Sequence, residues 1–252
     1  APNTELGKSQ HETCLHLVRS LARDPRKSCV LVFVAGMADI VDLTEKFESA
    51  NLGGFCGPRR FDLVPVHSEI AHEEQLKAFE SAEEGFFKVV IATNSAESSV
   101  TLADCDDVID LGTHKALRYD AASHRAVLAP AWVSRASATQ RAGRTGRVRP
   151  GRCWRLYSRQ RFELLRPYEL SEIHRQPLDA VVLNLRSMLD APVGPMLAQT
   201  LEPPAADHVG RSLTALRKQG FLTEPRGDAK AAAYYDWEDT NGDPAAARRA
   251  AE

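Results

Sequence analysis

Runs of apolar residues, separated by segments with helical periodicity, constrain the fold more than any other feature of the sequence. They span residues 29–36, 61–67, 87–93 and 107–111, and each is almost continuously hydrophobic. Strands of this composition are typical of parallel sheets, because helices cover both faces of such a sheet. The pattern therefore predicts an α/β fold with a parallel sheet and helices on both of its faces.

The remaining segments complete this pattern. We expect further elements at these positions: helices over 10–22, 37–50, 72–82 and 133–142, a hairpin flanking 121–123, and a last strand over 151–158. After residue 159 the pattern changes, and we expect helices over 178–190 and 207–224, the latter closed by Gly220 and a short strand. This predicts a second, small, mostly helical domain, followed by a loosely ordered tail over 226–252.

Charge is distributed unevenly along the chain. The net charge of −2 says nothing about partners, but residues 121–162 contain ten arginines and no acidic residue. Guanidinium groups match the geometry of phosphate. The segment therefore favours anion binding over a solvated basic face.

Two segments in the α/β region have compositions that suit phosphate or ribose contacts. "QRAGRTGR", residues 140–147, lies between a predicted helix and a predicted strand, a typical position for ligand loops in α/β domains. "ATNSAESSVTL", residues 92–102, directly follows a predicted strand and carries small hydroxyl and amide side chains. Either segment alone is equally typical of a turn.

In this order and spacing the two segments resemble motifs V and VI of DEAH-box, RNA helicase A-like superfamily 2 helicases. "VLVFVAG" resembles motif IV, and "PVHSEIAHEEQ" resembles the segment that follows it. The resemblance implies a second RecA-like lobe over 28–160, after a lead-in helix and linker over 1–27. It also implies a partial winged-helix-like domain over 161–225. Helicases of this family couple ATP hydrolysis to movement of two such lobes along a nucleic-acid strand.

The resemblance assigns one set of residues to the nucleotide. Arg144 and Arg147 are the candidate arginine fingers on the γ-phosphate, and Gln140 would orient the attacking water or the phosphate. Arg141 would hold the loop or a neighbouring carboxylate at the nucleotide, unless it forms a structural ion pair. The other nucleotide-binding candidates are Gly143, Phe79, Asp104 and Ser99.

Some members of this set have alternatives. Phe79 matches a position where the family stacks an aromatic ring on adenine, but it equally fits a core aromatic of a helix. Asp104 is the candidate ribose contact, although Ala103 stands where the family often has aspartate. Arg149, Arg152 and Arg155 fit solvated or packing roles better than ligand contacts.

The second set is assigned to the nucleic-acid backbone. It comprises small polar residues and one histidine: Thr93, Asn94, Thr101, His67 and Ser68. Hydroxyls and backbone amides that contact phosphates set the register without reading sequence. A histidine at a strand end such as His67 is also a common structural feature.

The sequence lacks the motifs that bind the triphosphate and metal in this family. "GKS" at 7–9 is not a Walker A loop, since Pro2 stands where its first glycine belongs, and no Asp-Glu metal motif occurs. We therefore expect ATP with Mg²⁺ to be held mainly by a first RecA-like lobe, and no metal site in this chain. Alone, the chain should neither bind ATP tightly nor hydrolyse it.

The resemblance implies further partners: single-stranded RNA, the first lobe of the same protein, and an accessory activator. Two other hypotheses stay open: a degenerate helicase-like scaffold or RNA-binding module in a ribonucleoprotein assembly, and a DNA-directed superfamily 2 translocase. The intact "QRAGRTGR" argues against a decayed scaffold. The five scattered cysteines and the lack of a long apolar run predict a reducing intracellular compartment and no membrane partner.

Overall fold

The computed structural model describes residues 4–53, 59–99, 102, 104–188 and 193–222. The chain forms two compact units. The first comprises Ala1–Ala116 and Ala129–Glu169, and the second comprises Leu117–Leu128 and Leu170–Glu252. Predicted features at Thr101 and beyond residue 222, including the tail and the rest of the short strand after Gly220, lie outside the described residues.

A parallel sheet forms the centre of the first unit. Its strands, in spatial order, are β2 (Arg60–Val66), β3 (Phe86–Ala92), β1 (Cys29–Phe33), β4 (Cys105–Asp110) and β7 (Arg152–Arg155). All neighbouring pairs are parallel. The predicted parallel sheet is confirmed. We call the side where these strands begin the amino edge and the side where they end the carboxyl edge.

Helices cover both faces of this sheet. On one face, α1 (Thr4–Leu21) and α2 (Met37–Leu52) pack against Val30 and Val32 of β1. On the other, α4 (Ala96–Ser99) packs against Leu31 and Phe33. Because alternate residues of β1 enter two different cores, the whole strand is buried, which explains the continuous apolar run.

The segment predicted as one helix over 72–82 is shorter and is divided. α3 spans His72–Leu76, and a 3₁₀ turn follows over Lys77–Phe79. At Glu80 the backbone is already extended, with φ −75° and ψ 150°. The predicted end of this helix was therefore wrong, and the physical reason lies in a buried lysine described below.

Helix α5 (Arg135–Ala142) follows the predicted hairpin. The hairpin strands are β5 (Thr113–Asp120) and β6 (Arg125–Trp132), which form a separate two-stranded sheet as predicted. The Ser134 hydroxyl accepts from the Ser137 amide and caps α5 at its start. A helix that the sequence analysis missed, α6 (Arg159–Glu163), begins in the same way at Ser158.

The second unit is helical in its described part. α7 (Asp179–Met188), α8 (Val193–Ala198) and α9 (Ala206–Lys218) share a core that includes Val182 and Val209. The sequence analysis predicted no helix at the α8 segment. It forms a helix because Pro195 lies in its first turn, where the missing amide hydrogen costs little. No helix in the described residues is long and apolar enough to cross a membrane.

Candidate functional site

The arginine-rich loop that follows α5 lies at the amino edge of the sheet. The Thr145 hydroxyl donates to the carbonyl oxygens of Cys105 and Asp106, at 2.7 and 2.9 Å. These are the first residues of β4. The loop lies between a helix and a strand as predicted, but on the side opposite to the carboxyl ends where ligand loops of open α/β sheets usually lie. The reason is topological: α5 runs from the carboxyl edge to the amino edge, so the loop that follows it lies at the amino edge.

Glycines shape this loop at two positions. Gly146 has φ +80°, a left-handed conformation that favours glycine. A Cβ atom at Gly151 would lie 1.9 Å from the Thr145 hydroxyl oxygen, so the anchoring of Thr145 requires a glycine there. Gly143, predicted as a nucleotide contact, ends α5 with φ −71°, and its amide donates to the carbonyl of Thr139 at 3.0 Å.

A second anchor holds the other end of the loop. Arg149 forms an ion pair with Asp106 and donates to the Ser28 hydroxyl at 2.9 Å. The Asp106 carboxylate is buried and also accepts from the backbone amides of Ser28 and Cys29, at 2.6 and 3.2 Å. The Arg149 side chain is 45% exposed, so these contacts are compatible with the solvated or packing role expected for it. The packing role holds for Arg155, whose guanidinium lies 4.4 Å from the ring centre of Phe162.

The predicted fingers lie on this anchored loop. Arg144 and Arg147 flank Thr145 and Gly146, and Arg147 is exposed while Arg144 is half-buried. Gln140 is exposed in the last turn of α5, two residues before this helix ends at Ala142. The loop thus presents two guanidinium groups from one short, doubly anchored segment.

Two further nucleotide-binding candidates lie at the same edge. Phe79 ends the 3₁₀ turn, and its side chain is 53% exposed, so the alternative of a core aromatic was wrong. Asp104 precedes β4 and pairs with the ammonium of Lys88 at 2.9 Å. Ser99 ends α4, and its side chain lies outside the described residues. An exposed aromatic ring, a carboxylate and two arginines therefore share the amino edge.

Arg141 is buried rather than presented at this edge. Its side chain is 0% exposed and pairs with Asp110 at 2.8 Å and with Glu97 at 3.3 Å. It also donates to the carbonyl of Thr113, and its guanidinium lies 4.9 Å from the ring centre of Phe33. These contacts match the ion-pair alternative, because they leave the guanidinium no exposed face for a nucleotide.

The Asp110 carboxylate at the end of β4 completes this cluster. It accepts from the Tyr157 hydroxyl at 2.8 Å and from the Gly112 amide at 2.9 Å, besides Arg141. Burial and the nearby Asp110 carboxylate raise the pKa of Tyr157 far above its usual range, so the phenol remains a hydrogen-bond donor. Glu97 accepts in addition from the Ser137 hydroxyl. Arg141 thus joins α5 to both α4 and β4 through charged groups that are paired and hydrogen-bonded.

The nucleic-acid candidates among the described residues lie at the carboxyl edge. The last residues of β2 and β3, Val66 and Ala92, are partners in the sheet register, so His67 and Thr93 follow side by side. Asn94 and Ser68 are exposed there, and His67 is half-buried. The Nδ1 atom of His67 accepts from the Glu69 amide at 3.1 Å, which is a structural role of the kind noted for strand-end histidines.

Thr93 differs from its neighbours at this edge. It is only 3% exposed, and its hydroxyl shares a hydrogen bond of 3.0 Å with the exposed Ser95. Because Thr93 is buried, its hydroxyl is better placed to orient Ser95 than to contact a nucleic-acid strand directly. The prediction of a backbone contact therefore falls mainly on Asn94 and Ser68.

Sequence reasoning missed one cation at the carboxyl edge. Lys115 of β5 is exposed, its amide donates to the carbonyl of Ala35 at 3.2 Å, and its side chain lies over Gly36 just beyond β1. A Cβ atom at Gly36 would lie 2.7 Å from Cε of Lys115. The lack of a side chain at Gly36 was the available signal, although only the tertiary structure brings Lys115 to it.

Comparison with known families identifies the first unit. The model of the helicase conserved C-terminal domain matches residues 12–149. This range includes all of the candidate residues at both edges. Within the described residues, no group of three or more His, Cys, Asp or Glu side chains is arranged to hold a metal ion.

Individual relatives agree with this match. The chain is 40% identical over 197 residues to the chloroplastic DExH-box ATP-dependent RNA helicase DExH4 of Arabidopsis thaliana. It is 37% identical over 202 residues to the ATP-dependent RNA helicase dhx29 of Xenopus laevis. These alignments cover 78% and 79% of this chain but only 14% and 15% of the relatives.

A solved structure shares the fold. The crystal structure of the E. coli DExH-box NTPase HrpB superimposes with a TM-score of 0.73 and 27% sequence identity. The match covers 94% of this chain and 28% of the other chain. The RecA-like α/β fold expected from the resemblance is confirmed.

Proposed function

This chain belongs to the family of the helicase conserved C-terminal domain and is a C-terminal lobe of the DEAH-box superfamily 2 type. On that premise, we propose that it is the C-terminal motor lobe of an ATP-dependent RNA helicase. In this role it supplies arginine fingers to ATP and contacts the backbone of single-stranded RNA. The chain covers 14% and 15% of the length of two such relatives, and we assign ATP hydrolysis to this lobe together with a first RecA-like lobe.

The observation that carries the proposal is the separation of the candidate residues onto opposite edges of one sheet. Arg144, Arg147 and Phe79 lie at the amino edge, whereas Asn94 and Ser68 lie at the carboxyl edge. A motor lobe must contact a nucleotide and a nucleic-acid strand at the same time. Two separate surfaces on one rigid sheet meet that requirement.

The chemistry of the amino edge suits the hydrolysis of a triphosphate. During phosphoryl transfer, negative charge is spread over the equatorial oxygens, and positioned guanidinium groups stabilise it. Arg144 and Arg147 supply these groups, and Gln140 orients the attacking water or the phosphate. The anchors at Thr145 and Arg149 reduce the conformational freedom of the loop before ATP arrives.

The same edge also suits the rest of the nucleotide. The exposed Phe79 ring provides a surface for stacking of adenine, and Asp104 lies nearby as an acceptor for ribose hydroxyls. We assign Mg²⁺ and the remaining phosphate contacts to a first RecA-like lobe. Arg141 contributes by holding α5, and through it the finger loop, against α4 and β4.

The carboxyl edge suits contacts that do not read sequence. Asn94, Ser95 and Ser68 offer small polar groups, and Lys115 adds a cation beside Gly36. Such groups fix the position of a phosphate backbone without base recognition. We propose single-stranded RNA as the ligand because the relatives in the comparison are named as RNA helicases.

The test combines this chain with a first RecA-like lobe that carries a Walker A loop. We expect ATP hydrolysis that rises on addition of single-stranded RNA, and tighter binding of RNA than of DNA of the same sequence at equal salt. Equal stimulation by DNA would favour a DNA-directed translocase. RNA binding without hydrolysis would favour a scaffold and contradict the motor assignment.

A further inference from the structure

Lys88 is a buried lysine whose ammonium group has no place in the function described so far. It is the third residue of β3, and only 1% of it is exposed. Burial of a lysine is unfavourable unless its charge is paired and its hydrogens are bonded. The contacts of this ammonium therefore indicate what the buried charge does.

The ammonium of Lys88 is satisfied by acceptors from two segments. It donates to the carbonyl oxygens of Ala78, at 3.1 Å, and of Glu80. It also donates to the Asp104 carboxylate at 3.0 Å. A lysine has three ammonium hydrogens, so these acceptor groups account for its whole capacity.

The two carbonyl acceptors flank Phe79 in the chain. Because Ala78 is buried and its carbonyl is held by Lys88, the backbone on either side of Phe79 is fixed to β3. The chain turns extended at Glu80, and the Phe79 ring is left 53% exposed at the amino edge. The third contact places the Asp104 carboxylate against the same ammonium.

We propose that Lys88 is a positioning residue for nucleotide binding, which ties the exposed Phe79 ring and the Asp104 carboxylate into one surface for the base and ribose of ATP. The inference rests on the proposed function, since such a surface has a use only where a nucleotide binds. Lys88 itself does not touch the nucleotide. It acts through the backbone of the 3₁₀ turn and through the carboxylate it holds.

The experiment uses the chain together with a first RecA-like lobe and compares two substrates, ATP and ribose 5-triphosphate, which lacks the base. Lys88→Met keeps most of the side-chain volume and removes the ammonium. We expect KM for ATP to rise about tenfold, which is the order of a lost base–aromatic stack, with kcat almost unchanged. KM for ribose 5-triphosphate should change much less. Lys88→Arg keeps a charged donor, so its KM for ATP should stay close to that of the unsubstituted assembly.

A combined variant distinguishes positioning from general loss of structure. Phe79→Ala alone should raise KM for ATP, and adding Lys88→Met should raise it little further, because both changes remove the same stack. Equal increases in KM for both substrates, or fully additive effects, would overturn the proposal. Lys88→Gln, which is uncharged and has two amide hydrogens for three acceptor groups, replaces Lys88→Met if thermal unfolding shows that the methionine variant does not fold.

The outcomes also separate this inference from the function on which it rests. Loss of all ATP hydrolysis in the unsubstituted assembly would remove the proposed function. Hydrolysis that depends on Arg144, together with an unchanged KM for ATP in Lys88→Met, would remove only the role of Lys88.

Discussion

The amino and carboxyl edges of the sheet present their candidate residues in different ways. At the amino edge, ion pairs of the buried Asp106 with Arg149 and of the buried Lys88 with Asp104 hold the segments that carry the arginines and Phe79. At the carboxyl edge, Ser68 and Asn94 lie in short turns directly after their strands. Transition-state stabilisation needs fixed charges, whereas backbone binding tolerates small, adaptable groups.

The largest expected effect tests the assignment of catalysis to the amino edge alone. Arg144→Ala or Arg147→Ala should lower kcat for ATP by a factor on the order of 10³–10⁵, because a transition-state guanidinium is lost. The affinity for RNA should stay close to that of the unsubstituted protein. Steady-state ATPase and RNA titration of the two-lobe assembly measure both quantities.

Arg159→Ala is the matched control for these finger variants. Its side chain is 92% exposed and pairs only with Glu163 one turn away in α6. We expect it to leave kcat unchanged. A finger variant with ATPase activity equal to this control would contradict the assignment of that arginine.

The next effect concerns Arg141, which ties α5 to Asp110 and Glu97. Arg141→Met should lower the free energy of unfolding of the first unit by about 3–5 kcal/mol, since it leaves buried carboxylates unpaired. Urea denaturation followed by circular dichroism measures this change in the chain by itself. A loss no larger than that of Arg159→Met would show that the buried cluster does not hold α5.

A smaller effect tests the carboxyl edge. Lys115→Ala should weaken RNA binding and reduce the slope of log K against log salt by about 0.7, the value for one phosphate contact on a single strand. Lys77→Ala removes an exposed lysine from the 3₁₀ turn at the amino edge and should leave the slope unchanged. If the two variants gave the same slope, RNA binding could not be assigned to one edge.

The smallest effect is expected outside both edges, at His11 of α1. Burial opposes its charge, but hydrogen bonds to Asp39 and Asp42 outweigh this and raise its pKa above the usual 6.5. The charged form therefore stabilises the fold at low pH, and this stabilisation is lost as pH rises through the raised pKa. His11→Gln should show a weaker decrease in unfolding free energy between pH 6 and 9. The effects of substitutions at the two edges on kcat and on RNA affinity should not follow this titration.

The sequence predicted the elements with strong periodicity and the motifs with dense polar residues. The apolar runs at β1 and β3 became buried parallel strands because both faces of the sheet are covered. The predicted helix over 72–82 ended early because the Lys88 ammonium, which comes from the next strand, β3, takes the carbonyls of Ala78 and Glu80. No local pattern contains that contact.

The roles of individual arginines show the same limit. "QRAGRTGR" predicted a loop for phosphate, and composition alone could not tell which of its guanidinium groups would be buried. Arg141 is buried because α5 packs it against Asp110 and Glu97, whereas Arg147, beyond the end of the helix, is exposed.

By itself, the sequence determined the α/β class, the positions of the strands along the chain and the residue types in each candidate segment. These depend on local periodicity and composition. Only the tertiary structure decided that Arg144 and Phe79 share one edge and Asn94 lies at the other. The physical reason is that a parallel sheet brings distant chain segments together by strand order and direction. Those properties arise from packing of the whole unit rather than from any single segment.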